Sequence, residues 1–405
     1  MRIPRSTAIA GAHLVERASR PFAQVSGSDQ RAGRPFHFFF HTLLPFLLCL
    51  GALSCARPQP PVKARPLPPP VQPSPSATEV RAVWVSDTTK LDWETATREL
   101  QHAGFNTMYV NFASAGAALY PASLVLPSVA GRIDGDPVAR GIELAHRRGI
   151  AVQAKMVVMF AFRSPAEFQA KLIKTDRAMR GVDAKPILQS GSVWICPSHP
   201  ANRHAALAAL AEFLHRYPVD GLQFDYLRYN EEPSCFCKHC RENFEQALGK
   251  PVRHWPADVL TGEFTKRFND WRQSVINEWT RQLSATARQA RPGLKITAAV
   301  FPALERAREE KAQDWRLWLE RGYVDAICPM NYTTNAHDFE ERCRGVLKYA
   351  PRDRVVMGVA EWKFQQLDEL NRQVALCRQL GLAGFALFSY DDATVRHFLP
   401  ALDLR

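Results

Sequence analysis

Three carboxylates stand at the ends of apolar runs, where an acid needs a reason to be. Asp225 closes the run in Gly221-Leu-Gln-Phe-Asp-Tyr-Leu-Arg-Tyr229, Glu361 follows Val355 to Ala360, and Asp391 follows Gly384 to Ser389. An ionised Asp at such a place costs several kcal/mol to bury unless something polar uses it. Asp225 is therefore the leading candidate for chemistry. The structural alternative is an Asp paired to Arg228 or capping the next helix. Glu361 and Asp391 are the candidate partners, although an acid after a strand also suits a helix N-cap. Two such carboxyl groups can cleave a glycosidic bond, one as acid or base and the other as nucleophile or base. The residues at the corresponding positions of the other runs fit a sugar. Asn111, Gln223, Asn331, Lys155 and Arg228 offer hydrogen bonds to hydroxyls, as does the acid Asp392, and Tyr332, Trp362 and Tyr390 offer faces for C–H surfaces.

Cysteine supplies a second constellation. Cys235, Cys237 and Cys240 fall within six residues after the Asp225 run. Structural zinc takes four N or S ligands, and His239, His254 or Cys196 could complete the set. A disulfide with one thiol left over is the other reading. Cys328, Cys343 and Cys377 sit in apolar patterns and read as core residues. His199 and His204 precede or open a helix on the side where substrate would bind. There is no Ser nucleophile elbow and no His-Glu-x-x-His pattern, so esterase and metalloprotease chemistry lack support.

Positioning these groups requires a scaffold that brings many strand ends together. Apolar runs at Val80 to Val85, Thr107 to Phe112, Ile150 to Val158, Gly221 to Tyr226, Lys295 to Phe301, Asp325 to Met330, Val355 to Ala360 and Gly384 to Ser389 predict eight strands. Helical spacing lies between them, as in Leu207, Leu210, Leu214, in Phe264, Phe268, Trp271, Val275, Trp279, and in Leu367, Leu370, Val374, Cys377. Strands apolar on both faces that alternate with helices predict a parallel sheet, and eight of them predict an α/β fold of the (β/α)8 TIM-barrel type. A doubly wound open sheet is the alternative, but no Gly-rich phosphate loop follows the first strand. In a barrel the strand ends named above would share one face.

The segment ahead of the barrel has another purpose. The chain of 405 residues carries a net charge of +12, yet residues 1 to 75 hold nine Lys or Arg against two acids. The remainder has 43 basic and 38 acidic groups and no basic run with interleaved aromatics, which argues against nucleic acid as a partner. Arg31 and Arg34 precede an apolar stretch from Phe38 to Leu53, then Ser54 and Cys55, the order of a secretory signal. Cys55 is placed as the acylated residue of a bacterial lipoprotein, which would anchor the chain to a membrane in the cell envelope. Nine prolines between Arg57 and Ser76 predict a stiff polyproline II tether. The expected organisation is a leader over residues 1–55, a linker over 56–78 and a barrel over 79–405.

Five segments occur in an order that carries a resemblance. They are Arg81-Ala-Val-Trp-Val, Gly104-Phe-Asn-Thr-Met-Tyr-Val, Cys196-Pro-Ser-His-Pro, Val219-Asp-Gly-Leu-Gln-Phe-Asp-Tyr-Leu-Arg-Tyr, and Trp315-Arg-Leu-Trp followed by Val324-Asp-Ala-Ile-Cys-Pro-Met-Asn-Tyr. Together, over roughly residues 79 to 392, they resemble the glycosyl-hydrolase-like family 10, bacterial lipoproteins with a TIM-barrel domain. The resemblance implies cleavage of glycan strands, peptidoglycan stripped of its peptides among them, with Asp225 as the strand-4 acid. The family's usual Pro-Gln-Ile-Tyr is here Pro-Met-Asn-Tyr, ending at Tyr332. The function expected is therefore an exported glycoside hydrolase that requires no cofactor for catalysis. A non-catalytic carbohydrate-binding barrel and a zinc-dependent hydrolase using the Cys cluster are the alternatives.

Overall fold

The computed structural model describes residues 79–130, 136–391 and 393–405. Cys55, the leader, the tether and Asp392 lie outside the described residues. Eight parallel strands form the sheet: β1 (Val80–Val85), β2 (Thr107–Ser114), β3 (Ala151–Val157), β4 (Gly221–Asp225), β5 (Lys295–Val300), β6 (Ala326–Pro329), β7 (Val356–Val359) and β8 (Gly384–Leu387). Parallel ladders run continuously from β7 through β8 and β1 to β6. The last seam carries two parallel bridges, Ile327 to Val355 and Met330 to Gly358, which bring β6 alongside β7. The architecture is a (β/α)8 barrel. All eight runs read from the sequence are strands, with ends that differ by one or two residues because the last residues turn out of the ladder into loops.

A helix follows each strand: α1 (Trp93–His102), α2 (Pro137–Arg147), α3 (Pro200–Arg216), α4 (Thr265–Ala290), α5 (Trp315–Glu320), α6 (Ala336–Leu347), α7 (Leu367–Gln379) and α8 (Ala393–Phe398). Their starts are encoded locally. Asp92 accepts hydrogen bonds from the N–H groups of Glu94 and Thr95, and Asp136 accepts from Val138 and Ala139, with Pro137 preset for the first turn. Of the α4 face read from the sequence, Trp279 packs into the main core with Ile276 and Leu283, while Phe268 packs beneath the β4–α4 excursion.

Inside the barrel, side chains alternate with period two and stack in layers. The middle layer is polar and closed on itself. Trp84 Nε1 donates to Gln223 Oε1 at 2.5 Å, and Gln223 Nε2 reaches Cys328 Sγ at 3.2 Å and Thr297 Oγ1 at 3.4 Å. Trp84 is large enough to set the spacing of the opposite wall. A Cβ at Gly358 would come 2.8 Å from the Pro329 carbonyl oxygen and 3.2 Å from the Trp84 ring, so β7 approaches there only as glycine. Two long excursions interrupt the regular repeat. One, between β3 and α3, carries a helix over Ala166–Lys174 and a small hairpin. The other, between β4 and α4, carries a helix over Lys238–Leu248 and builds its own core from Phe236, Phe244, Val252, Val259, Phe264 and Phe268.

Candidate active site

Asp225 ends β4 one layer above Gln223, facing the barrel mouth. Its Oδ2 lies 3.2 Å from Lys155 Nζ on β3, and its Oδ1 accepts the backbone N–H of Tyr226 at 2.8 Å. Both charged side chains are almost fully buried, and each offsets the desolvation that would make the other costly alone. The backbone turns sharply here. Tyr226 has φ of 52°, a left-handed conformation uncommon for an aromatic residue and a form of strain that clusters at functional sites.

Arg228 takes a different role from the pairing with Asp225 considered above. Its guanidinium lies over the rings of Trp194, Tyr226 and Phe301 at 5.0, 4.9 and 4.9 Å. It donates to the Tyr229 carbonyl at 3.0 Å and pairs with Glu231 at 3.2 Å. Lys311 also pairs with Glu231, so the loop after β4 is pinned by cations from two sides. Arg228 thus braces aromatic faces and is itself buried.

Glu361 is fully buried at the start of a short 3-10 turn after β7. Desolvation holds the Tyr332 hydroxyl well above the ordinary tyrosine range, and the charges of Asp225 and then Glu361 push it further the same way. Both carboxyl groups therefore lie within electrostatic reach of one phenol. The Tyr332 ring meets Trp362 at 5.0 Å and Phe388 at 5.7 Å, and those two meet at 5.6 Å.

This pattern extends beyond the residues singled out from sequence. Six successive strands each deliver one half-buried aromatic ring just past their C-terminal ends: Phe162, Tyr226, Phe301, Tyr332, Trp362 and Phe388. Four of these, Phe162, Tyr226, Phe301 and Phe388, were not among the candidates. The signal was present as an aromatic at the end of each apolar run, but in a single run it reads as ordinary packing. Asn111 joins the mouth from β2, level with Lys155, and its Oδ1 is buried without a hydrogen-bond partner among the described residues.

Other candidates are placed elsewhere. Gln223 belongs to the closed interior layer, with its amide fully engaged beneath the mouth. Asn331 turns outward, its amide donating to the Phe339 carbonyl of α6 at 2.9 Å. Tyr390 also points outward and donates to Glu99 on α1 at 2.8 Å. Asp391 accepts the N–H of Ser86 at 2.5 Å and that of Asp87 at 3.2 Å, so its carboxylate fastens the end of β8 to the end of β1. The alternation of inward and outward side chains explains these placements, because an end-of-strand position does not say which way the turn rotates the side chain. His199 caps α3 by accepting the Ala201 N–H through Nδ1 at 3.2 Å, and its ring lies 4.3 Å from that of His239.

With the geometry in view, the comparisons with known proteins bear on it. The model of the glycosyl hydrolase-like 10 family matches residues 79–350. The chain belongs to that family. Glycosyl hydrolase DigH of Escherichia coli strain K12 is 24% identical over 378 residues, covering 78% of this chain and 82% of DigH. Glycosyl hydrolase YngK of Bacillus subtilis strain 168 is 22% identical over 365 residues, covering 78% of this chain and 68% of YngK. The solved glycoside hydrolase domain of PgaB (BpsB) from Bordetella bronchiseptica superposes with a TM-score of 0.63 at 15% identity, covering 81% of this chain and all of that domain. The family membership and the barrel agree with the resemblance read from the motifs.

Proposed function

We propose that this family member hydrolyses O-glycosidic bonds in a cell-envelope polysaccharide, with peptide-stripped peptidoglycan as the first substrate to try. Asp225 and Glu361 are the carboxylate pair. The observation that carries this reading is the buried Asp225–Lys155 pair at the C-terminal end of β4, set among half-buried aromatic rings just past six strand ends. Such faces suit the C–H surfaces of sugar rings, and the carboxylates suit the proton and charge transfers of an oxocarbenium-like transition state. Lys155 holds Asp225 in place, and the orphan acceptor of Asn111 suits a substrate hydroxyl. In this chemistry two carboxyl groups carry the proton and the developing charge, so the proposal calls for no cofactor.

The sequence ahead of the barrel supports export and a membrane anchor at Cys55. The nine prolines between Arg57 and Ser76 suit a tether between such an anchor and the barrel.

The test is release of reducing ends by the full-length chain from intact peptidoglycan, peptide-stripped peptidoglycan and neutral polysaccharides. Asp225→Asn should fold, as judged by circular dichroism, and lose at least about a hundredfold in rate. A folded and fully active Asp225→Asn protein would remove the assignment. Binding of a glycan without release by the wild type would replace it with the carbohydrate-binding reading.

A further inference from the structure

We propose that Cys196, Cys235, Cys237 and Cys240 form a structural zinc site that locks the loop after β4 to the loop after β3. The four sulfurs lie within 4.8 Å of one another, and all four residues are buried. Cys196 comes from the β3–α3 excursion, two residues after Trp194. Cys235 and Cys237 come from the β4–α4 excursion, and Cys240 lies in the first turn of the helix Lys238–Leu248. Of the three completions open in the sequence, the geometry selects Cys196. His239 instead meets His199, and His254 is exposed beside Asp258.

The arrangement fits one ion better than two bonds. A tetrahedral zinc with Zn–S distances of ~2.3 Å sets its sulfurs about 3.8 Å apart. Here Cys196 Sγ lies 3.4 Å from Cys237 Sγ and 3.6 Å from Cys240 Sγ, so one sulfur neighbours two others at similar distances instead of pairing with one. Four thiolates around a divalent cation carry a net negative charge, which needs compensation when buried. Arg272 supplies it. This buried arginine of α4 lies over the Tyr229 ring at 4.2 Å, with Cys240 and Cys235 among the groups around its guanidinium, and its Nε has no hydrogen-bond partner. The backbone is prepared as well. Cys196 donates its N–H to Arg177 O at 2.8 Å, Trp279 Nε1 holds Pro197 O at 2.7 Å, and the Cys235 sulfur accepts the N–H of Arg180 at 3.3 Å.

Four protein sulfurs fill a tetrahedral zinc shell and leave no position for substrate, so the site is structural. Its effect on the active site is positional. The two loops it joins carry Trp194 and Arg228, the ring and the cation that brace Tyr226 beside Asp225.

The experiment is metal analysis and native mass spectrometry of the full-length chain as purified from producing cells. The expected result is zinc in a one-to-one ratio. Cys196→Ser and Cys240→Ser should lose the metal and melt at lower temperature, while Cys377→Ser, on the buried face of α7, should retain it. If the serine variants fail to fold, two wild-type measurements decide. Cobalt exchanged into the site should give the absorption of a tetrahedral tetrathiolate. After denaturation without reductant, all four cysteines should be open to alkylation. Metal-free protein, disulfides mapped among the four, or an iron–sulfur chromophore would each overturn the assignment.

Discussion

Tyr332 shows how much depends on a single hydroxyl. Desolvation and two nearby carboxylates raise its proton affinity, so it stays protonated at every pH at which a glycosidase would be assayed. It can therefore donate to a charged or charge-developing oxygen, an interaction worth ~1.5–3 kcal/mol. Tyr332→Phe keeps the ring against Trp362 and Phe388 and removes only that donor. The expected result is an unchanged melting temperature with kcat lowered roughly tenfold to a hundredfold. Because this phenol does not titrate in the assayed range, the alkaline limb of the pH profile should stay where it is. Unchanged kcat and KM would reduce Tyr332 to packing. Asp225 was legible because an acid after an apolar run is costly and conspicuous. The ring of aromatics was not, because each member is unremarkable until the barrel closes and sets the six strand ends side by side. The surroundings of Arg228 were hidden for a related reason: three rings that sequence separates by up to 107 positions converge on its guanidinium, and only the fold shows this.

The strands and helices were readable from periodicity, since buried parallel strands are apolar on both faces and the helices carry one apolar stripe. The rotation at a strand's end was not, and Asp391 illustrates the consequence. Sequence made it a candidate catalytic acid; the fold uses it to join two neighbouring strands. Its two oxygens accept N–H groups from Ser86 and Asp87, which lead from β1 into the loop ahead of α1. Asp391→Ala should cost about 1 kcal/mol, seen as a modest fall in urea midpoint, since the freed N–H groups lie near solvent. Asp391→Asn retains an acceptor oxygen, so it should keep most of that stability and nearly all activity. Abolished turnover in a folded Asp391→Asn protein would restore Asp391 to the carboxylate pair in place of Glu361. Part of the satellite core of the β4–α4 excursion escaped the sequence reading: Phe264 and Phe268 were read as a helix face, but Phe236 and Val252 lie in irregular segments that show no period.

Charge along the whole chain divides according to task. The family match begins at residue 79, and the excess of basic groups is concentrated ahead of it. The barrel itself is nearly balanced, so its attraction to a glycan rests on shape and on aromatic faces more than on net charge. A hydrolase working on a fixed polysaccharide gains from being held near it, because tethering raises the effective concentration at the surface. If Cys55 carries the lipid, Cys55→Ser should move the protein from the membrane pellet to the soluble fraction of producing cells. Activity per molecule on soluble glycan fragments should be unchanged, whereas activity on the intact envelope should fall. Cys49→Ser, with Leu48 before it, should behave as the wild type. Equal membrane partitioning of Cys55→Ser and wild type would mean that the apolar stretch from Phe38 to Leu53 stays in place as the anchor, and the tether would then begin at an uncleaved segment.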